Sequence, residues 1–165
     1  LKKKYFNIYS NYEQDFEDYT RYSLLEKPEE NLTYKELCHG DYQYHNIICG
    51  EEGWYIINFE KSKPGSQVND GYLLLRKVLE KSDWQPALGS ALLDAYKKLR
   101  PLTAFEALDL YYRLAYPEKF RKIANFYYNS NKAFLSEQYK SKLANTIRLE
   151  KAKNVFLNKV FDDEI

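Results

Sequence analysis

The chain contains no methionine and only two cysteines, Cys38 and Cys49. Two cysteines are too few for a disulfide framework, and this pair lacks the close spacing of zinc ligands, so we expect reduced thiols. No apolar run approaches the roughly 20 residues that span a bilayer. The N-terminus begins Leu-Lys-Lys-Lys and has no apolar region of the signal-peptide kind. We therefore expect a soluble, intracellular protein with no membrane partner.

An excess of charge of either sign is also missing. Lys and Arg number 25 against 24 Asp and Glu, which gives a formal net charge of +1. This balance excludes broad attraction to nucleic acid, so none is expected as a partner. Aromatic residues are abundant instead, with 17 Tyr and 9 Phe. They supply volume that Leu and Met usually fill, and we expect most tyrosines to lie at the rim of a core rather than in a binding surface.

Hydrophobic spacing predicts one mostly helical domain with a small β-hairpin near its front. Aromatic and aliphatic residues recur at three- and four-residue steps before position 20, which predicts a helix over residues 4–26. This apolar stripe consists of Tyr5, Ile8, Tyr9, Tyr12, Phe16 and Tyr19. The β-prone runs 47–49 and 54–57 flank a turn with two glycines and predict the hairpin. Residues 61–69 are expected to form a loop.

The chain after Asp70 is predicted to be helical throughout. Its start signals are an N-cap at Asp70, first-turn prolines at Pro86 and Pro117, and a capping box at Thr103 and Glu106. A long final helix is expected over residues 136–161. The sequence shows no internal repeat.

The residues whose side chains could take part in a reaction or bind a metal lie just before the hairpin and at its end. The loop reads His39-Gly40-Asp41, then four residues, then Asn46. The second strand is followed by Asn58 and Glu60. An Asp and an Asn on one rigid loop can orient an acceptor hydroxyl and hold magnesium against phosphates, and a ligand at the end of the hairpin would complete the cradle. The pattern favours phosphoryl transfer.

Plainer interpretations exist for the same residues. Asp41 could cap a turn, and Asn46 could satisfy backbone groups at a strand entry. A rival metal site could use four ligands: Cys38, His39, Asp41 and His45. We expect instead that both cysteines are small buried residues and that His45 packs within the loop.

At this motif the sequence resembles the aminoglycoside phosphotransferase and choline-kinase superfamily, whose catalytic loop has the form His-Gly-Asp, four residues, then Asn. More narrowly, it is similar to the spore-coat family of the CotS type, in which the loop is rich in Tyr and His and the hairpin ends in Ile-Asn-Phe-Glu-Lys. The matching segments are 57–61, 75–77, 116–120 and 127–132. The resemblance implies an α+β, mostly α-helical fold: the C-terminal lobe of a protein kinase-like protein over residues 1–165, without the nucleotide-clamping N-terminal lobe.

The resemblance also implies a role for each residue of the motif. Asp41 would be the catalytic residue that orients the acceptor or acts as general base, and His39 would brace the catalytic loop. Asp70 would support that loop from the next helix. The cofactors, Mg²⁺ and ATP, would be held by three residues: Asn46, Asn58 and Glu60. Of these, the two asparagines would be the metal ligands.

Two departures from active relatives weaken the expected activity. Active relatives carry Asp at the position of Asn58, and an amide brings no charge to Mg²⁺. Glu60, expected on the same side of an extended strand, would replace that charge only in part. No Gly-rich turn and no strand lysine precede the first predicted helix.

We therefore expect a spore-coat or sporulation-associated pseudokinase, weak or inactive as a phosphotransferase, with other spore-coat proteins as partners and the spore coat as a location. One alternative is an active ATP-dependent phosphotransferase whose partner is a small-molecule acceptor: a hydroxyl of a sugar, an aminoglycoside or an amino alcohol. Another is a helical interaction module that merely shares the loop.

Overall fold

The structure is a computed structural model, and it describes residues 36–129 and 137–161. The helices in these ranges are α1 Gln67–Lys81, α2 Pro86–Leu99, α3 Ala104–Ala115, α4 Glu118–Asn129 and α5 Glu137–Phe161. The strands are β1 Leu37–Cys38, β2 Ile47–Gly50, β3 Gly53–Ile56 and β4 Lys63–Pro64, paired as two small antiparallel sheets. The predicted α-rich fold with a small hairpin is confirmed. The predicted helix over 4–26 lies outside the described residues.

The hairpin has the predicted position and a tight register. Ile47 pairs with Ile56, and Gly50 pairs with Gly53 across the turn. Gly53 has φ +140°, a conformation that a residue with a Cβ rarely adopts, which explains the glycine there. The ladder continues one step beyond the strands because Ile57 N–H donates to Asn46 O at 3.0 Å. Residues 46 and 57 therefore face each other at the open end of the hairpin.

The prediction of a loop over 61–69 is wrong in part. Lys63 and Pro64 form β4 and pair with Cys38 and Leu37 of β1, and α1 begins at Gln67. A two-residue pairing is too short to leave a period in the sequence, so only the folded chain reveals it. Gly65 N–H also donates to Glu36 O at 3.1 Å. Residues 36–38, before the His-Gly-Asp motif, therefore lie beside residues 63–65, which follow the hairpin.

The helices enclose an apolar core. α5 packs against α2, α3 and α4, while α1 packs against α2, α3 and β1. The buried members of the core are Val68, Leu75, Leu79, Trp84, Leu93, Leu110, Leu114, Ala115, Leu149, Phe156, Leu157 and Phe161. Tyr72 and Tyr111 are partly buried against this core, at its rim as predicted for tyrosines.

The helix-start signals have mixed outcomes. Pro86 opens α2 as predicted, and Pro117 directly precedes α4. The capping box is confirmed: Glu106 N–H donates to Thr103 Oγ1 at 3.2 Å, and Thr103 N–H donates to Glu106 Oε2 at 2.9 Å. The predicted N-cap at Asp70 is wrong, because Ser66 precedes the first turn of α1 and Asp70 lies within that turn.

A buried lysine joins α5 to the end of α3. Lys153 is 2% exposed, and its ammonium donates to Ala115 O at 2.7 Å and lies 2.6 Å from Glu150 Oε2. The carbonyl at a helix C-terminus and a carboxylate are both suited to a cation. Burial lowers the pKa of Lys153 and raises the pKa of Glu150. None of the helices in the described ranges is both long and apolar enough to cross a membrane.

Candidate functional site

Asp70 holds the start of the His-Gly-Asp loop from the first turn of α1. Its Oδ2 accepts from His39 N–H at 2.6 Å, and its Oδ1 accepts from Gly40 N–H at 3.0 Å. A carboxylate is favoured in the first turn of a helix, where the amide dipoles point toward it. Two backbone donors on one carboxylate fix the direction in which the loop leaves β1.

His39 braces the loop through both ring nitrogens. Nε2 lies 2.8 Å from Ile57 O, and Asp41 N–H lies 3.2 Å from Nδ1. A carbonyl oxygen only accepts and a backbone N–H only donates, so these partners together select the neutral tautomer with the proton on Nε2. His39 is 7% exposed, and its ring lies against the ring of Phe59, with the centroids 4.7 Å apart. His39 therefore joins the loop to the end of the hairpin.

Gly40 is required by close approach as well as by backbone conformation. Its φ is +77°, in the left-handed region that favours glycine. A Cβ at this position would overlap the carbonyl oxygen of Lys61. The backbone of the loop at Gly40 therefore lies directly against the backbone of Lys61, in the turn after the hairpin. The side chains of the adjacent Asp41 and of Lys61 also meet.

The Asp41 carboxylate is held by two donors. Lys61 Nζ lies 2.8 Å from Oδ2, and the Gln43 amide donates to Oδ1. The hydrogen bonds from Lys61 and Gln43 hold the pKa of Asp41 below its usual value of 3.8. The carboxylate is thus ionised at neutral pH, and its lone pairs are directed at protein donors.

Asn46 and Asn58 meet at the open end of the hairpin. Asn46 is 2% exposed, and its Nδ2 donates to Asp41 O at 2.8 Å. Because a carbonyl only accepts, this bond fixes the amide so that Asn46 Oδ1 faces Asn58, whose Nδ2 donates to it at 2.9 Å. Asn58 has φ +65° and ψ +62°, a left-handed conformation that Asn adopts more readily than most residues. The site is therefore linked by direct bonds from Asp41 through Asn46 to Asn58.

This arrangement does not fit Mg²⁺ as the side chains stand. The Asn46 oxygen that would bind the ion already accepts from Asn58, and the amide nitrogen presented by Asn58 is a donor, not a ligand. Asp41 is paired with Lys61. Across residues 36–129 and 137–161, no three His, Cys, Asp or Glu side chains are grouped so that they could hold a metal ion.

Three predictions about neighbouring residues need correction. Glu60 does not share a strand face with Asn58, because the chain turns at Asn58 and Glu60 lies in the 3-10 turn Phe59–Lys61. Cys49 is exposed rather than buried, since it pairs with Trp54 on a hairpin that is open to solvent. His45 is exposed and contacts the edge of the Tyr44 ring, with the centroids 5.6 Å apart. Cys38 is buried as expected.

Sequence reasoning missed the partners of Asp41. Lys61 ends the Ile-Asn-Phe-Glu-Lys run that follows the hairpin, and its position in that run was the available signal. Gln43 lies two residues after Asp41, within reach of its carboxylate across a turn. Neither residue belongs to the His-Gly-Asp and Asn pattern, so the pattern alone did not select them.

Comparison with known proteins gives a partial match. No family model matches the chain, and no solved structure matches it. Spore coat protein S of Bacillus subtilis (strain 168) is 38% identical over 90 residues, which cover 53% of this chain and 26% of that protein. The chain thus spans about a quarter of the length of that curated relative. The similarity supports the resemblance to spore-coat proteins, whereas membership of the kinase-like superfamily stays a prediction.

Proposed function

We propose that this chain is part of a spore-coat protein in which a kinase-like catalytic loop serves as a structural brace, with weak or no phosphotransferase activity. The similarity to spore coat protein S supports the coat association. The amide pair of Asn46 and Asn58 carries the proposal of weak activity. The pair stands where the resemblance requires two magnesium ligands.

The amide N–H of Asn58 occupies the position next to Asn46 Oδ1 that a bound cation would otherwise occupy. With Asp at position 58, a carboxylate oxygen would face the fixed oxygen of Asn46, and two facing acceptors require a cation or a proton between them. The Asn58 amide brings its own N–H to Asn46 Oδ1. The brace is therefore complete without Mg²⁺.

The contacts of Asp41 support the same proposal. Lys61 and Gln43 hold both carboxylate oxygens, so a substrate hydroxyl would have to compete with them. The Lys61 pair joins the loop to the turn after the hairpin. Asp41 then acts as an anchor for that turn, in parallel with the contacts of His39 and Asp70.

An active phosphotransferase is the second candidate. Its support is that the Asp41 side chain is ionised and still 24% exposed, so a hydroxyl acceptor could reach it. Mg²⁺ with ATP would be required as cofactor, with a sugar, an aminoglycoside or an amino alcohol as acceptor. Binding would have to turn the Asn58 amide away from Asn46.

Replacing the Asn58 amide tests the choice between the two candidates. We expect Asn58→Asp in the full-length protein to lower stability by about 1–3 kcal/mol without Mg²⁺, because two acceptors then face each other. Added Mg²⁺ should restore the melting temperature of Asn58→Asp and leave the wild type unchanged. The matched control is Asn58→Gly, which keeps the left-handed backbone, removes the amide and should show no response to Mg²⁺.

Calorimetric titration with Mg-ATP and a phosphate-transfer assay over a panel of acceptors complete this experiment. The wild type should show at most weak binding of Mg-ATP and at most slow transfer. Micromolar binding followed by turnover, lost in Asp41→Asn with folding intact, would reject the structural-brace proposal in favour of the active phosphotransferase.

A further inference from the structure

The last turn of α1 contacts the second half of the His-Gly-Asp loop. The ammonium of Lys81 lies over the ring of Tyr44, 3.9 Å from its centroid. Tyr44 begins the 3-10 turn Tyr44–Asn46, which ends in the buried Asn46. We propose that Lys81 is a positioning residue that acts through Tyr44 and keeps Asn46 in its place opposite Asn58. This proposal goes beyond the proposed function, because it concerns how the loop is held, whether the loop is a brace or part of a phosphate-transferring site.

α1 holds the loop near both of its ends. Asp70, in the first turn of α1, accepts from the backbone of His39 and Gly40, and Lys81 is the last residue of the same helix. The rise of an α-helix puts positions 70 and 81 about 16 Å apart. An acidic side chain in the first turn and a basic one in the last turn both suit the helix dipole. One rigid element therefore fixes two well-separated points of the loop.

The end of α1 is itself firmly placed, so Lys81 starts from a fixed position. Trp84 N–H donates to Leu79 O at 2.8 Å, which closes the last turn, and Trp84 is 4% exposed in the core. The next anchor is Asp83, whose two carboxylate oxygens accept from Arg148 of α5 at 2.9 and 3.1 Å. These contacts hold the chain that follows Lys81 independently of the His-Gly-Asp loop.

The 3-10 turn is short and closed, so a shift of Tyr44 is passed on to Asn46. Asn46 N–H donates to Gln43 O at 2.8 Å, and Ile47 N–H donates to Tyr44 O. The same turn carries the Gln43 side chain, which donates to Asp41. Displacement of the Tyr44 ring would therefore move both the residue that faces Asn58 and a partner of Asp41.

The contact depends on the ring face and on the positive charge. The face of an aromatic ring carries negative charge density, which attracts a cation without any need for the hydroxyl. Tyr44 is 41% exposed, and a cation–π contact at an exposed site changes an equilibrium constant by a factor of about two to five. Phe at position 44 would keep this contact, whereas Leu would remove it. Arg at position 81 would keep it, whereas Met would remove the charge and keep most of the apolar stem.

Nuclear magnetic resonance on the full-length protein tests the positioning role at a group that neither residue contacts. The probe is the side-chain amide of Asn58, identified by its absence from the spectrum of Asn58→Gly. Lys81→Met and Tyr44→Leu should each raise the exchange rate of its protons with water about two- to fivefold. Lys81→Arg and Tyr44→Phe should match the wild type. The matched control is Lys98→Met, which removes an exposed lysine from the last turn of α2 and should leave the rate unchanged.

An internal reference separates positioning from general loss of stability. Ala107 N–H donates to Thr103 O at 2.9 Å in α3, and its exchange rate should be the same in all variants. Three results would overturn the proposal: unchanged Asn58 exchange in both Lys81→Met and Tyr44→Leu, no recovery in Lys81→Arg, or equal increases at Asn58 and Ala107.

The same measurement separates this proposal from the proposed function. Fast exchange of the Asn58 amide in the wild type would contradict the amide pair, and with it the structural brace. The positioning role is then measured at the backbone N–H of Asn46, which donates to Gln43 O. The same order of variants is expected there, and equal Asn46 exchange in wild type and Lys81→Met would overturn the role of Lys81.

Discussion

At the residue scale, the candidate site is a set of mutually satisfied polar groups. Asp70 accepts from the backbone of the loop, His39 joins the loop to the hairpin, and Asn46 fixes the direction of the amide of Asn58. The side chains of Asp70, His39 and Asn46 each bond to a backbone N–H or C=O group, and these backbone partners determine which way each side chain is oriented. Removal of one group would leave another buried group unsatisfied, which is costlier than the loss of the bond alone.

Gly40 gives a test at this scale. Gly40→Ala should lower the free energy of unfolding by about 1–3 kcal/mol, because the new Cβ would overlap the carbonyl of Lys61 and the backbone would be strained at positive φ. Chemical denaturation measures the change. Gly65→Ala is the matched control, since its Cβ would lie at an ordinary 3.6 Å from Cys38 Sγ. Equal stability of the two variants would contradict the close approach.

At the element scale, helix contacts depend on where small residues permit close packing. Gly89 of α2 lies directly against the ring of Phe156 of α5, so that a Cβ would overlap the ring. Gly71 of α1 is different: a Cβ there would lie 3.7 Å from the Tyr96 ring, in ordinary contact. The two glycines have similar sequence settings inside helices and opposite packing environments.

These two glycines predict opposite effects of the same substitution. Gly89→Ala should destabilise the protein by about 1–3 kcal/mol, because the α2 and α5 contact must open. Gly71→Ala should be neutral or stabilise it by up to about 1 kcal/mol, because alanine is the better helix former. Thermal melting of both variants provides the measurement. A stabilised Gly89→Ala would show that α5 does not pack on α2 at this point.

At the scale of the whole molecule, the hairpin is an exposed apolar surface on a helical body. Trp54 is 75% exposed, and Ile48, Tyr55 and Ile56 are each more than two-fifths exposed. Exposed apolar residues grouped in this way are typical of interaction surfaces. The proposed partners are other spore-coat proteins, and tryptophan is a frequent energetic centre of protein interfaces.

We expect Trp54→Ser to reduce the fraction of the protein that is retained in the spore coat, with the melting temperature almost unchanged. The side chain contributes little to the core, so the stability change should stay within about 0.5 kcal/mol. Immunoblotting of coat extracts measures retention, and the neighbouring turn variant Glu52→Ser is the control. Retention of Trp54→Ser at the level of wild type and control would remove the hairpin from the proposed coat interface.

Local signals in the sequence predicted the secondary structure well where they were strong. The capping box at Thr103, the proline in the first turn of α2 and the β-prone runs of the hairpin each act through residues that are close in sequence, so the sequence alone is enough to predict them. The pairing of β1 with β4 was missed because two residues carry no period. The N-cap assigned to Asp70 was wrong because its carboxylate serves the distant loop instead of its own helix.

The sequence by itself determined the helical and hairpin segments and the spacing from His39 to Asn46, because both depend on residues near one another in the chain. The tertiary structure alone decided the chemistry of the motif. It brought the ammonium of Lys61 to the carboxylate of Asp41, and the amide donor of Asn58 to the side-chain oxygen of Asn46. The physical reason is that a donor or ligand role depends on which group lies within about 3 Å, and that distance is set by the folding of β1, the hairpin and α1 together.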